Sequence, residues 1–473
     1  MRCVVVGSGI SGLVAALLLA RAGYSVTVLE ASNHPAPLLR GFERDGLHFE
    51  TGFHCAGGLA HDHVLGRWLR SFEVYDDLKP STESEGDTFW FDDGTQLRVP
   101  YGPPMVQALA QAFPDQRSHL ADFFAREEAV LEASPYTNPF CMQEPCLSES
   151  TDTLLDALSP FPDHLRAILA LRSLRYGALP EEALWRDYAL VDGPYVQSGG
   201  SWQGGGARLA ELFCGKLREA GVELVTQARC VALSATKAGI LGVHCAGGAM
   251  YPAGLCVFTG HPAQIPALLP KGLLRPVYTS RLLTARESIS AVLLFCEVQE
   301  KFWEGISLYL LPTTSLHFAK AFEPDPVFCL HCEGGKKGPQ PALLLAIVPE
   351  GHPFVRDNPL YREEKSRLVA HLIRSVERRI PGIRGKWRVV DAATPATFAR
   401  WQYGSLGSLY GFLHAKTSVP YLPITRVPGL LLAGQNILLP GILGCIISAA
   451  LAVGFIIGHD QVLKEFRRCS GSA

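Results

Sequence analysis

Three stretches of the chain share one pattern, a short continuous apolar run that gives way to helical periodicity. The first is "RCVVVG", a β-branched run ending at Gly7, which predicts a strand buried on both faces. It leads into "SGLVAALLLARAG", an Ala- and Leu-rich helix closed by Gly23, and then into a second strand, "YSVTVLE". Together these predict a βαβ unit. In the middle of the chain, the glycine-rich break "SGGSWQGGG" (198–206) precedes the helix "ARLAELFCGKLREAG". Short strands follow it: "VELVTQ", "CVALSAT", "ILGVHCAGG" and "GLCVFTG". At the end, "GLLLAGQN" reads as a strand before an apolar run over 437–458.

Other patterns fill the gaps. Residues 61–190 read as mainly helical, with apolar recurrence at three and four in "MVQALAQAF", "HLADFFAREEAVLEA" and "DHLRAILALRSLRYG". From 285 to 350 come longer strands, "SISAVLLFCEV", "ISLYLLP" and "ALLLAIVP", then an amphipathic helix over 361–379. "WRVVDAA" begins the return to the terminal unit. The expected fold class is α/β (α+β overall), with a discontinuous Rossmann-type domain. Residues 1–60, 195–275 and 386–473 would form it, and 61–194 and 276–385 would form an inserted domain of mixed sheet and helices.

The terminal apolar run is long enough for a bilayer, and no charge occurs between Arg426 and His459. Pro440, Gly441 and Gly444 crowd its start, and a polar turn with Gln435 and Asn436 precedes it, so a buried strand–turn–helix is the expectation. Only 19% of the 473 residues are charged, below the ~25% of ordinary soluble domains. A net charge of −2 with no long basic run speaks against nucleic acid as a partner. The thirteen scattered cysteines, with no cleavable leader pattern, point to reduced thiols and a cytoplasmic location. Cys329 and Cys332 form a C-x-x-C inside a strand-to-turn stretch, without a second pair at zinc spacing, so no metal site is expected.

Candidate chemistry begins at Gly7, Gly9 and Gly12, a G-x-G-x-x-G between strand and helix. The first glycine permits the tight turn, the second lets a pyrophosphate approach the backbone, and the third allows close helix–strand packing. The helix start adds free amides and a positive dipole end. Glu30 closes the second strand, where a carboxylate can accept from ribose hydroxyls. This is a dinucleotide site.

"ERDGLHFETGFHCAGG" (43–58) and "VPGLLLAGQNILLPGILGCIISAALAVG" (427–454), taken with the opening unit, resemble the FAD-dependent phytoene desaturases, carotenoid isomerases and all-trans-retinol saturases. The likeness implies that Gly7, Ser8, Gly9, Ser11, Gly12 and Glu30 hold the ADP half of a non-covalent FAD, with Val231 beside the adenine. It also implies Gly434 and Gln435 at the ribityl phosphate, and Gly441, Ile442 and Leu443 at the flavin ring. One departure stands out. The family carries Gly-Gly after the ribose acid, where this chain has Ala36 and Pro37, with Arg40 as a compensating charge.

The resemblance further implies hydride exchange between flavin N5 and a C–C bond of a lipophilic polyene-like substrate. Saturation is favoured over desaturation or isomerisation, with an unidentified electron donor or acceptor and room for peripheral membrane contact. His54 reads either as a histidine satisfied in a buried turn or as a catalytic group beside the flavin, and Tyr410 as a core or a ring-side tyrosine. Two rival readings are a flavin amine oxidase with an aromatic cage drawn from Trp401 or Tyr403, and a non-catalytic lipid- or prenyl-binding protein on the same scaffold.

Overall fold

A computed structural model describes residues 1–82, 86–142, 152–301, 303–311, 320–332, 338–349, 352, 354–355, 357–403, 406–415 and 422–469. The opening unit forms as its pattern predicts: β1 (Arg2–Val6), α1 (Ile10–Arg21) and β2 (Ser25–Leu29). After it come α2 (Val64–Ser71), a hairpin of β3 (Gly86–Phe91) and β4 (Gln96–Pro100), and the helices α3 (Pro104–Ala112), α4 (Arg117–Glu132), α5 (Asp163–Leu171), α6 (Trp185–Gln197) and α7 (Gly205–Glu219). The short strands are β5 (Glu223–Val225), β6 (Cys230–Thr236), β7 (Gly239–Cys245) and β8 (Leu255–Phe258). The longer ones are β9 (Ser290–Val298), β10 (Ser307–Leu311), β11 (Phe328–His331) and β12 (Gln340–Val348). The chain closes with α8 (Tyr361–Arg379), β13 (Trp387–Ala393), β14 (Leu430–Leu432), α9 (Gly441–Ile457) and α10 (His459–Arg468).

A parallel five-stranded sheet, ordered β14-β8-β1-β2-β5, gathers the start, middle and end of the chain. Its side chains alternate as a strand buried on both faces requires. Cys3 and Val5 pack toward α1, α7 and α9, whereas Val4 and Val6 pack toward the antiparallel layer of β6 and β7. α1 is buried continuously from Ile10 to Leu19, which accounts for a helix apolar all round. α9 packs against α1, so the C-terminal apolar run is core. Among the described residues no helix is long and apolar enough to cross a membrane.

A second, seven-stranded sheet runs β13-β9-β12-β11-β10-β3-β4, antiparallel except for the β10–β3 pair. α8 covers one face through Leu368, Leu372 and Val376, and the helices between 104 and 197 cover the other.

Three expectations need correction. The region read as mainly helical contains the β3–β4 hairpin, because "DTFWF" is aromatic and β-prone and its partner β10 lies more than two hundred residues away in sequence. α2 inserts Trp68 and Leu69, both fully buried, into the core of the parallel sheet, so the cofactor-side packing continues past the expected boundary at 60. β13 pairs with β9 in the mixed sheet, so that sheet continues past the expected boundary at 385. In both cases the contacts are long-range and leave no local mark.

Candidate active site

The glycine loop after β1 leads straight into α1, whose N-terminus has no capping side chain and leaves its first amides open to an anion. Gly7 has φ +100°, and a Cβ there would lie 2.4 Å from Thr259 Oγ1. A Cβ on Gly12 would lie 2.0 Å from the Gly7 carbonyl oxygen. On Gly9 it would meet no protein atom within 4 Å. Protein packing therefore demands two of the glycines. The third leaves bare backbone facing open space, which suits a pyrophosphate.

Glu30 is buried and anchors this loop. Its Oε2 accepts from the Ser8 amide at 2.9 Å and the Ser8 hydroxyl at 2.6 Å, and Oε1 accepts from the Ser32 amide at 2.8 Å. Ser8 Oγ in turn accepts from the Ala36 amide at 2.9 Å. The carboxylate thus ties the phosphate loop to the strand end, and it retains lone pairs for ribose hydroxyls. Ala36, in place of the family's glycine, is buried with φ +50°. The loop keeps its left-handed turn at about 1–2 kcal/mol of local strain. Arg40 donates through Nε to the Pro35 carbonyl at 2.8 Å and so braces that turn.

Val231 is 48% exposed at a bulge early in β6. Just before it, the Gln227 and Ala228 amides donate to the Ser32 and Glu30 carbonyls, both at 2.8 Å, which brings this segment to the Glu30 end of the loop. On the other side, Gly434 has φ +109°, and a Cβ there would sit 3.5 Å from the hydroxyl of the buried Ser11. Its amide donates to Ser448 at 3.0 Å. The Gln435 carbonyl accepts from His414 Nε2 at 2.8 Å. Gly441, Ile442 and Leu443 begin α9, again without a capping side chain, and line a cavity of about 690 Å³. The predicted cofactor residues thus lie along one path, from α1 and the Glu30 loop through Gly434 to the start of α9. They fit an FAD with its ADP half on α1 and its ring against the cavity.

The cavity lies between α4, α6, the start of α9 and the mixed sheet. Hydrocarbon side chains dominate it, and among the described lining residues there is no Asp, Glu or Lys. Both candidate catalytic residues face it. His54 packs against His331 with ring centroids 4.6 Å apart, and burial, aided by Lys301, pushes the His331 imidazole down to about 3. The Tyr410 amide donates to Ser288 Oγ at 3.1 Å, and burial raises its phenol to about 12. Trp401 is 43% exposed and Tyr403 lies beneath the Arg229 guanidinium at 4.9 Å, and neither lines the cavity. The aromatic cage expected of those two residues is not where the sequence reading put it.

One group escaped sequence reading. Arg175, on the cavity wall, bonds Asp87 at 2.8 Å and Asp192 at 3.0 Å, and Arg172 bonds Asp192 at 2.7 Å. Tyr101 donates to Asp87 at 2.8 Å, and the Tyr195 ring lies 4.1 Å from the Arg175 guanidinium carbon. Cys55 Sγ is 3.8 Å from both tyrosine hydroxyls. The one available signal was two arginines three apart in an otherwise apolar helical run, "ILALRSLRYG". Their partners lie in β3 and α6, so spacing alone could not pair them.

Residues 10–457 match the family described as flavin containing amine oxidoreductase. The all-trans-retinol 13,14-reductase of Macaca fascicularis is 21% identical over 97% of this chain and 85% of its own length. The human protein of that name is 25% identical over 48% of this chain and 41% of its own length. An oxidoreductase from Methanosarcina mazei has the same fold, with a TM-score of 0.66 at 14% identity, over 95% of this chain and 99% of that one.

Proposed function

The chain is an FAD-dependent oxidoreductase belonging to the flavin-containing amine oxidoreductase family, and on that premise we propose that it saturates a C=C bond of a lipophilic, polyene-like substrate while holding FAD non-covalently. The observation that carries this reading is the cavity, hydrocarbon-lined and without an acidic residue among those described, at the uncapped start of α9. FAD bound in the glycine cradle supplies hydride exchange at its N5.

The chain's own residues have three tasks. The apolar walls hold the hydrocarbon and exclude water, in a volume within the usual range for small-molecule sites. The α9 amides favour negative charge at their end of the cavity. His54 and Tyr410, which line the cavity, would hold the proton that must accompany the hydride. The retinol reductases among its relatives favour reduction over desaturation. An ammonium substrate would find no carboxylate among the described lining residues and would meet Arg175. A polyene resides in lipid, so the chain would collect it by peripheral membrane contact. The exposed Phe140 and Met142 follow directly on Ser134 and Thr137 of the cavity wall.

The test is anaerobic. Chemically reduced enzyme is mixed with a conjugated polyene, and with a primary amine in parallel using oxidised enzyme. Return of the flavin visible band, with a product two hydrogens richer, is the expected result. Flavin bleaching by the amine, with no response to polyenes, would refute the reading.

A further inference from the structure

The polar wall around Arg175 lies apart from the glycine cradle and the Glu30 loop, and its charge balance restricts what it can bind. Both terminal nitrogens of Arg175 are already engaged, on Asp192 and Asp87, and Arg172 shares Asp192. Two cations thus face two carboxylates. The remaining acid nearby, Glu127, is buried, and burial together with the neighbouring Asp192 raises its carboxyl well above the usual carboxylate range. The other lining arginine, Arg186, sits in the field of Asp187.

We infer that this wall is a subsite for a neutral oxygen function, a hydroxyl or carbonyl, on an otherwise hydrocarbon ligand, and that it discriminates against both carboxylates and ammonium ions. An incoming carboxylate would lose its water without finding an unspent cation. A neutral oxygen instead meets an open hydroxyl donor. The Tyr410 phenol faces the cavity and makes no hydrogen bond among the described residues. Its ring packs against residue 177, a glycine, where a Cβ would lie 2.7 Å from Tyr410 Cδ2, and its phenol lies in the field of Arg175. Tyr195 and Tyr309 line the same wall, with Cys55 and Cys329. Burial raises all three phenols and both thiols, so none carries charge at neutral pH. The Tyr195 hydroxyl is engaged on the Cys55 carbonyl at 3.3 Å and Tyr309 on Cys329, which leaves Tyr410 as the open donor.

This inference rests on the polyene reading, and binding separates the two. Oxidised, FAD-loaded protein is titrated with four matched twenty-carbon conjugated polyenes ending in a hydroxyl, an aldehyde, a carboxylate or a methyl group. Perturbation of the flavin spectrum and equilibrium dialysis are the readouts. The alcohol and aldehyde should bind at least about tenfold tighter than the acid and about threefold to tenfold tighter than the hydrocarbon. Tyr410→Phe should erase most of the margin over the hydrocarbon, and it avoids the buried unpaired carboxylates that an Arg175 substitution would leave. Preference for the acid, equal binding of alcohol and hydrocarbon, or a margin unmoved by Tyr410→Phe would overturn the subsite. Failure of all four to bind would instead overturn the polyene reading.

Discussion

Replacing Glu30 by alanine should destabilise the protein before any cofactor is considered. The buried carboxylate accepts three hydrogen bonds, two from Ser8 and one from the Ser32 amide. Bonds to a charged acceptor contribute about 1.5–3 kcal/mol each, so the low end for three is about 4–5 kcal/mol. Water entering the truncated site restores part of that, and the expected loss is about 3 kcal/mol. Glu30→Gln should fall between wild type and alanine. Both sides of the carboxylate face N–H or O–H donors, so a carboxamide must turn its NH2 toward one of them. Because Ser8 and, through it, Ala36 also lose their anchor, FAD affinity should drop at least about tenfold. Urea denaturation of the apoprotein measures the first quantity, and flavin fluorescence titration the second. An alanine variant that loses FAD affinity but unfolds at the wild-type urea midpoint would show that Glu30 serves the ligand alone, and the anchoring argument would be wrong.

Four further outcomes follow from the same geometry. Acid precipitation should release all the flavin into the supernatant, whereas flavin retained on the pellet would reveal a covalent link. Ala36→Gly relieves a left-handed alanine and should stabilise the folded apoprotein by up to about 1 kcal/mol, read from the urea midpoint, and a midpoint that falls would show that the turn is unstrained. Gly441→Leu puts a side chain into open space at the start of α9, where φ is +83°, and the variant should purify folded but colourless, checked by circular dichroism beside the visible spectrum. His331 is held neutral to about pH 3 when folded, but binds its proton near the ordinary 6.5 when unfolded. Its contribution is therefore present above pH 6.5 and lost as pH falls toward 3, about 2 kcal/mol by pH 5. His331→Gln should flatten that fall in urea unfolding at pH 7 and 5, and an unchanged slope would exclude the histidine as its cause.

The division between what the sequence revealed and what it concealed follows the range of the interactions. The βαβ unit, the three glycines, Glu30 and the terminal strand–turn–helix are legible because each depends on neighbours a few residues away. A β-branched run, a glycine at a tight turn and a helix start encode their own geometry. The amphipathic helix over 361–379 was legible for the same reason, and α8 spans those residues. His54 and Tyr410 could be named, but not resolved between core and cavity, since burial alone looks the same in either role. Only the tertiary structure decided the rest. β3 finds its parallel partner β10, and β13 its partner β9, across long stretches of chain. Arg175 draws its carboxylates from β3 and α6. Charges buried in this way survive only when all partners arrive together, and no local pattern in a single chain announces which residues those will be.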